Sequence, residues 1–123
     1  MTIVEAITKF DELKPNGYSQ FQKIIWLSNL DAQIKAEVID THEGAEDVTF
    51  TDYTENTDID TELLVPTPYE DLYMAWLEAK VDYTNGEYTK YNNSITTFNE
   101  RYAAYERYYN RTHMPLGKKI QYF

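Results

Sequence analysis

The chain has 123 residues and a formal net charge of −10 at pH 7; 42% of it is hydrophobic, 15% is aromatic and none of it is cysteine. A chain of this length makes one domain, burying roughly two thirds of the surface it exposes when unfolded. The missing cysteines exclude a disulfide scaffold, a thiolate zinc site and a cysteine nucleophile, and the acidity argues against broad coating of DNA, which needs a basic surface.

The pattern predicts an all-α fold of about four helices in an antiparallel, bundle-like arrangement. The first helix runs from about Ile3 to Lys14. Thr2 and Glu5 have the spacing of a capping box, Ile3, Ile7 and Phe10 share one face, and Pro15-Asn16-Gly17 stops the helix. Glu5, Asp11 and Glu12 interrupt this stretch without a basic region before it, which is not the pattern of a signal peptide. No window approaches the ~20 apolar residues of a membrane span.

The second helix runs from about Gln20 to Thr41, with Ser19 and Gln22 as another capping box. Ile24, Leu27, Leu30 or Asp31, Ile34 and Val38 recur at helical spacing, and Ile25 and Trp26 broaden the face. His42-Glu43-Gly44 ends it, with Gly44 suited to a left-handed cap. Residues 43–66 then form a long acidic loop without helical period, in which Val48-Thr49-Phe50-Thr51 suits a short extended piece. A connection longer than ~12–15 residues signals function or mobility, so this segment is read as an interaction loop first and a passive linker second.

Thr67-Pro68-Tyr69-Glu70 predicts the start of the third helix, with Thr67 as N-cap, Pro68 at the first position and Glu70 at the third. Leu72, Trp76, Ala79 and Tyr83 follow along one face, and Asn85-Gly86 marks a tight corner. The fourth helix is the longest, from about Glu87 to Thr112, or roughly 37–39 Å at 1.5 Å per residue. Tyr88, Tyr91, Ile95, Phe98, Tyr102, Tyr105 and Tyr109 make an alternating 3,4 seam along it. Such a seam packs either on the chain's own helices or on a neighbouring subunit; tyrosine suits a half-wet contact, its ring buried and its hydroxyl at water or a partner. The whole, residues 1–123, is read as one helical domain closed by a basic, aromatic tail at 114–123.

Charge is segregated along the chain. Residues 1–100 carry a net −14 and residues 101–123 a net +4, from Arg101, Arg107, Arg111, Lys118 and Lys119 against Glu106; the stretch from Glu43 to Asp71 holds ten acids and no base. Such polarity suits head-to-tail assembly or docking on a charged partner. The competing reading is that acids solubilise a loop while bases cap a helix C-terminus. The candidate partner interface is therefore the seam residues above together with Arg107, Arg111, Lys118, Lys119, Tyr122 and Phe123.

Chemistry-bearing patterns are sparse. His42 and His113 each sit near a helix end, where capping is the simpler role. Asn56, Asp58, Asp60 and Glu62 alternate as in a calcium loop, but the Gly at the sixth and the Glu at the twelfth position are missing from either start. The serines, Ser19, Ser28 and Ser94, lack a triad-like context, and no Gly-rich phosphate loop is present. No enzyme, no cofactor and no metal is expected from these patterns.

The block Asp60-Thr61-Glu62-Leu63-Leu64-Val65-Pro66-Thr67-Pro68-Tyr69-Glu70-Asp71, with Tyr73-Met74-Ala75-Trp76-Leu77-Glu78-Ala79 after it, resembles small prophage proteins of Gram-positive bacteria encoded among head and portal genes. So do Asn85-Gly86-Glu87-Tyr88-Thr89-Lys90-Tyr91-Asn92-Asn93-Ser94 and Tyr109-Asn110-Arg111-Thr112-His113-Met114-Pro115. That group in turn resembles the head–tail connector (adaptor, or head-completion) family of tailed phages. The likeness is strongest from Asp60 onward and weak across residues 1–17. It implies a small helical protein without catalytic residues that forms a homo-oligomeric ring on the portal protein after DNA packaging. Such a ring helps retain DNA and receives the next connector or a tail-completion protein. Its place would be the bacterial host cytoplasm during assembly and then the virion neck, with DNA passing through the channel without sequence-specific binding. In these terms the long helix would pack against ring neighbours, the basic tail would reach the portal, and the acidic loop would line the channel or meet the next component. An acidic DNA mimic, or an adaptor that binds a host DNA-binding protein, is the alternative.

Overall fold

The computed structural model describes residues 1–116. Four helices alternate in direction: α1 (Ile3–Leu13), α2 (Gln20–Ile34), α3 (Leu72–Thr84) and α4 (Tyr88–Thr112). It is an all-α bundle, and among the described residues no strand forms; only isolated bridges, Thr2 with Glu62 and His42 with Pro115, pair extended backbone.

α1 forms as its pattern dictates. The Thr2 hydroxyl accepts from the Glu5 amide at 3.2 Å while the Glu5 carboxylate accepts from the Thr2 amide at 3.0 Å, which satisfies two of the free amides at the helix start. Ile3, Ala6, Ile7 and Phe10 form its buried stripe. α2 begins with the Ser19 hydroxyl accepting from the Gln22 amide at 3.1 Å. Its α-helical hydrogen bonding ends at Ile34, earlier than the expected Thr41; a π-helical turn, Lys35–Ile39, carries the chain on, closed by the Asp40 amide donating to the Lys35 carbonyl at 2.8 Å. The wider turn brings both Val38 and Ile39 into the core. Gly44 then takes the expected left-handed conformation, φ +87°.

The start of α3 departs from the sequence expectation. Thr67 and Pro68 are not cap and first turn; residues 66–69 form a separate turn in which the Tyr69 amide donates to the Pro66 carbonyl at 2.9 Å, and the helix begins at Leu72. The Glu70 carboxylate, which would close a capping box, instead lies 3.5 Å from the Met1 amino group. Asn85 and Gly86 make the expected corner, with Gly86 at φ +75° and its amide on the Tyr83 carbonyl.

Within the long acidic connection, residues 48–65 form a strap whose backbone is held against the helices. The Tyr53 amide donates to the Ser28 hydroxyl at 2.9 Å. The Ile3 and Val4 amides, two of the donors left open at the start of α1, donate to the carbonyls of Thr61 and Ile59 at 3.0 and 2.9 Å. Tyr53, Leu63 and Val65 are buried with the residues of α1, α2 and α3 in one hydrophobic core. Phe50 packs edge-on to Tyr53 at 5.3 Å, and Val48–Thr51 forms no strand. Three apolar side chains pin the strap while its acids face water.

Candidate functional site

α4 is nearly twice as long as α3, 25 residues against 13, and so packs on two different surfaces. Its first half lies along α3. Beyond Arg101, whose Nε sits 3.4 Å from the Asp71 carboxylate at the start of α3, it lies on the 66–70 turn and on the π-turn end of α2. There Tyr69 meets Tyr105 and Tyr108 at 6.3 and 4.8 Å, and the Tyr102 hydroxyl donates to Glu37 at 3.3 Å.

This division sorts the aromatic seam. Phe98, Tyr105 and Tyr109 are buried in the chain's own core, at 5, 1 and 6% exposure, so these three members of the candidate interface are withdrawn from any partner in this fold. Phe98 packs on Trp76 at 5.0 Å. Tyr109 stacks on His113 at 4.0 Å and meets His42 edge-on at 4.9 Å. Tyr91, Ile95 and Tyr102 are half-buried. Tyr88 is exposed, and both it and Tyr91 pack edge-on against Tyr83 at the corner between α3 and α4. Arg107 and Arg111 project from the outer face of α4, and neither forms an ion pair with any described residue. Lys118, Lys119, Tyr122 and Phe123 lie outside the described residues.

Two buried polar clusters escaped the sequence reading. In the first, Asp31, fully buried, accepts from the Tyr73 hydroxyl at 2.6 Å on one carboxylate oxygen, and from the Tyr53 hydroxyl at 2.5 Å and the Leu64 amide at 3.1 Å on the other. The Tyr73 oxygen in turn accepts from the Val65 amide at 2.9 Å. One carboxylate thus joins α2, the strap and α3. Burial pushes its pKa above the usual carboxylate range, against the three hydrogen bonds that favour the charged form. The only hint in sequence was an acid at a core position of the α2 period, where an unpaired carboxylate is untenable. In the second cluster, Asp82 receives the Lys14 ammonium at 2.8 Å and the Ser94 hydroxyl at 2.9 Å, tying the ends of α1, α3 and α4.

In both clusters the polar groups are engaged with one another, and Asp31 is fully buried. The Ser94 hydroxyl donates to the Asp82 carboxylate at 2.9 Å and also lies against the carbonyls of Lys90 and Tyr91. His42 has both ring nitrogens engaged, by the Val38 carbonyl and by Asn110 at 2.6 Å, and secures the end of α4 to the end of α2. Among the described residues no three His, Cys, Asp or Glu side chains converge on a metal-sized space, and no helix is long and apolar enough to cross a membrane.

Burial also raises the pKa of the Tyr53, Tyr73, Tyr102, Tyr105 and Tyr109 hydroxyls. An unfolded tyrosine ionises near pH 10. Because these groups hold their protons more tightly when folded, their contribution is fully present below pH 10 and is lost as pH rises toward the folded values. Absorbance at 295 nm is expected to show the five ionising together, in one step with the loss of helical circular dichroism, above pH 10. Ionisation of all twelve tyrosines with helicity intact is the opposite result.

Among the described residues, the surfaces open to a partner include the Tyr83–Tyr88–Tyr91 corner, the outer face of α4 with its two arginines, the acidic strap, and a groove of 460 Å³ over α3 between the end of α1 and α4. No protein-family model, no curated protein and no solved structure matches this chain.

Proposed function

We propose that this protein is a structural component of a tailed-phage particle, a head–tail connector that assembles as a ring on the portal after DNA packaging and presents the surface for the next connector or the tail. The reading starts from the likeness of residues 60–94 and 109–115 to prophage proteins of the head and portal region. The observation that carries it is the outer face of α4, a rigid rod of about 37 Å with Arg107 and Arg111 unpaired within the described chain. Rods of this length with one free face suit lateral packing between repeated subunits, and unmatched charges on that face suit a partner of opposite sign.

The strap supports the same reading. Its backbone is tied to α1 and α2, while its Asp52, Glu55, Asp58 and Asp60 remain exposed, as do Glu46 and Asp47 just before it. An acidic wall of this kind gives passing DNA no phosphate contacts and lets it slide.

The test is complementation of DNA-filled heads from a lysogen deleted for the gene. Adding the purified protein is expected to restore DNA retention and tail joining, with the protein bound at the portal vertex. Heads that are complete without it and never bind it would overturn the connector reading and turn the search to a host DNA-binding protein.

A further inference from the structure

Among the described residues two carboxylates are buried, and they differ in one respect. Asp82 receives the Lys14 ammonium at 2.8 Å, whereas no described Lys, Arg or His pairs with Asp31. The titratable groups turned toward Asp31 are tyrosines: Tyr53 from the strap, Tyr73 from α3 and Tyr105 from α4. Their hydroxyls can donate to a charge, but without a cation beside it an ionised Asp31 bears the full loss of its hydration. Burial outweighs the hydrogen bonds and raises its pKa.

The cover over this carboxylate is the strap. Both partners of Asp31 Oδ2, the Tyr53 hydroxyl and the Leu64 amide, belong to it, and the Val65 amide steadies the Tyr73 hydroxyl on the other oxygen. Lifting the strap therefore uncovers Oδ2. The helices hold one another without it. The Trp76 indole donates to the Trp26 carbonyl at 2.8 Å, Asp82 joins α1, α3 and α4, and His42 meets Asn110 at the far end of α4. By contrast, residues 48–65 bury only Tyr53, Leu63 and Val65. Their other ties are the Ser28 hydroxyl and the backbone of residues 1–4. A segment with so few buried apolar side chains opens at a lower free energy than the body it lies on.

We propose that residues 48–65 are a lid that lifts off the four helices as a unit, and that Asp31 is its pH sensor: the protonated residue keeps the lid shut and the ionised one favours opening. The sign follows from linkage. The closed form binds the Asp31 proton more tightly than the open form, so closure is strongest below the usual carboxylate range and weakens as pH rises through the closed-state value. The other acids of the lid are exposed, with Glu62 on the Met1 amino group at 3.0 Å, and none of them changes its burial as Asp31 does. The inference stands apart from the connector reading and does not need it.

The test is amide hydrogen exchange of the full chain, read residue by residue by NMR from about pH 5 to about pH 8 and corrected for the intrinsic pH dependence of exchange. The Tyr53, Leu64 and Val65 amides are expected to be at least about a hundredfold less protected than those of Leu77 and Val81 in α3, the mark of an opening short of global unfolding. Their protection is expected to fall about tenfold per pH unit until the closed-state value of Asp31 is passed, and then to level off. In Asp31→Asn, which cannot ionise, that fall is expected to vanish while all the exposed acids remain. Lid and helix amides equally protected, protection that does not change with pH, or the same fall in Asp31→Asn would each overturn the proposal. Should Asp31→Asn lose its helical circular dichroism, Tyr53→Phe takes its place: it is expected to weaken lid protection at pH 5 and keep the fall, and lid protection equal to wild type would overturn the proposal.

Discussion

Asp31→Ala is expected to lower stability by about 3–5 kcal/mol, the loss typical when one partner of a buried charged network is removed, or roughly 10–20 °C in Tm for a chain of this size. The magnitude follows from what is stranded. The Tyr53 and Tyr73 hydroxyls and the Leu64 amide all donate to this one carboxylate, and none of the three has another described acceptor at that place. Each orphaned donor costs about 1–3 kcal/mol if water does not reach it. Asp31→Asn keeps one acceptor oxygen and is expected to lose less. Urea titration followed by circular dichroism checks both, and a loss under about 1 kcal/mol for the alanine variant would show that the network does not hold the strap. The pH dependence has a definite sign. The Asp31 pKa is raised by burial, so the folded state binds its proton more tightly than the unfolded chain; the stability this residue contributes is highest below the usual carboxylate value and falls as pH rises through the raised one. The difference between the wild-type and Asp31→Asn stability profiles is expected to show that fall.

Tyr105→Ala is expected to cost a further large amount, about 3–5 kcal/mol, the usual range for truncating a buried aromatic ring. Tyr105 is 1% exposed and sits among Tyr69, Tyr108 and Tyr109. Tyr88→Ala, at the other end of the same seam and 60% exposed, is expected to change stability by less than about 0.5 kcal/mol. Thermal denaturation of the two variants side by side tells whether the seam is one surface or two. Equal losses would mean that the corner tyrosines are as structural as those of the core.

The helices were legible where local signals agreed with tertiary need. The Thr2–Glu5 box, the Ile3–Phe10 stripe and the Asn85-Gly86 corner all stand where their residues place them. The Thr67-Pro68-Tyr69-Glu70 signal misled because its glutamate has a competing partner, the Met1 amino group, and a capping box holds only while its acid is free to fold back. Residues 48–65 were harder still. An acidic run with few apolar residues reads as a solvated loop, yet Tyr53, Leu63 and Val65 are enough to bury its backbone against α1 and α2, where its polar groups find hydroxyl, amide and carboxylate partners. Those partners are far off in sequence, and no local window contains them. The seam showed its period but not its division, because burial along α4 depends on where α3 begins, and that boundary was misread.

The Asp31 cluster carries a kinetic consequence. Its donors lie 22, 33 and 42 residues from Asp31 along the chain, so it closes only when α2, the strap and α3 have all been brought together, after the loop-closure entropy has been met by other contacts. Interactions formed past the folding barrier act on the unfolding rate and leave the folding rate nearly unchanged. Loss of the carboxylate then steepens escape from the native state rather than slowing its formation. The cluster works as a latch on the finished protein, setting how long the chain stays folded once it has formed.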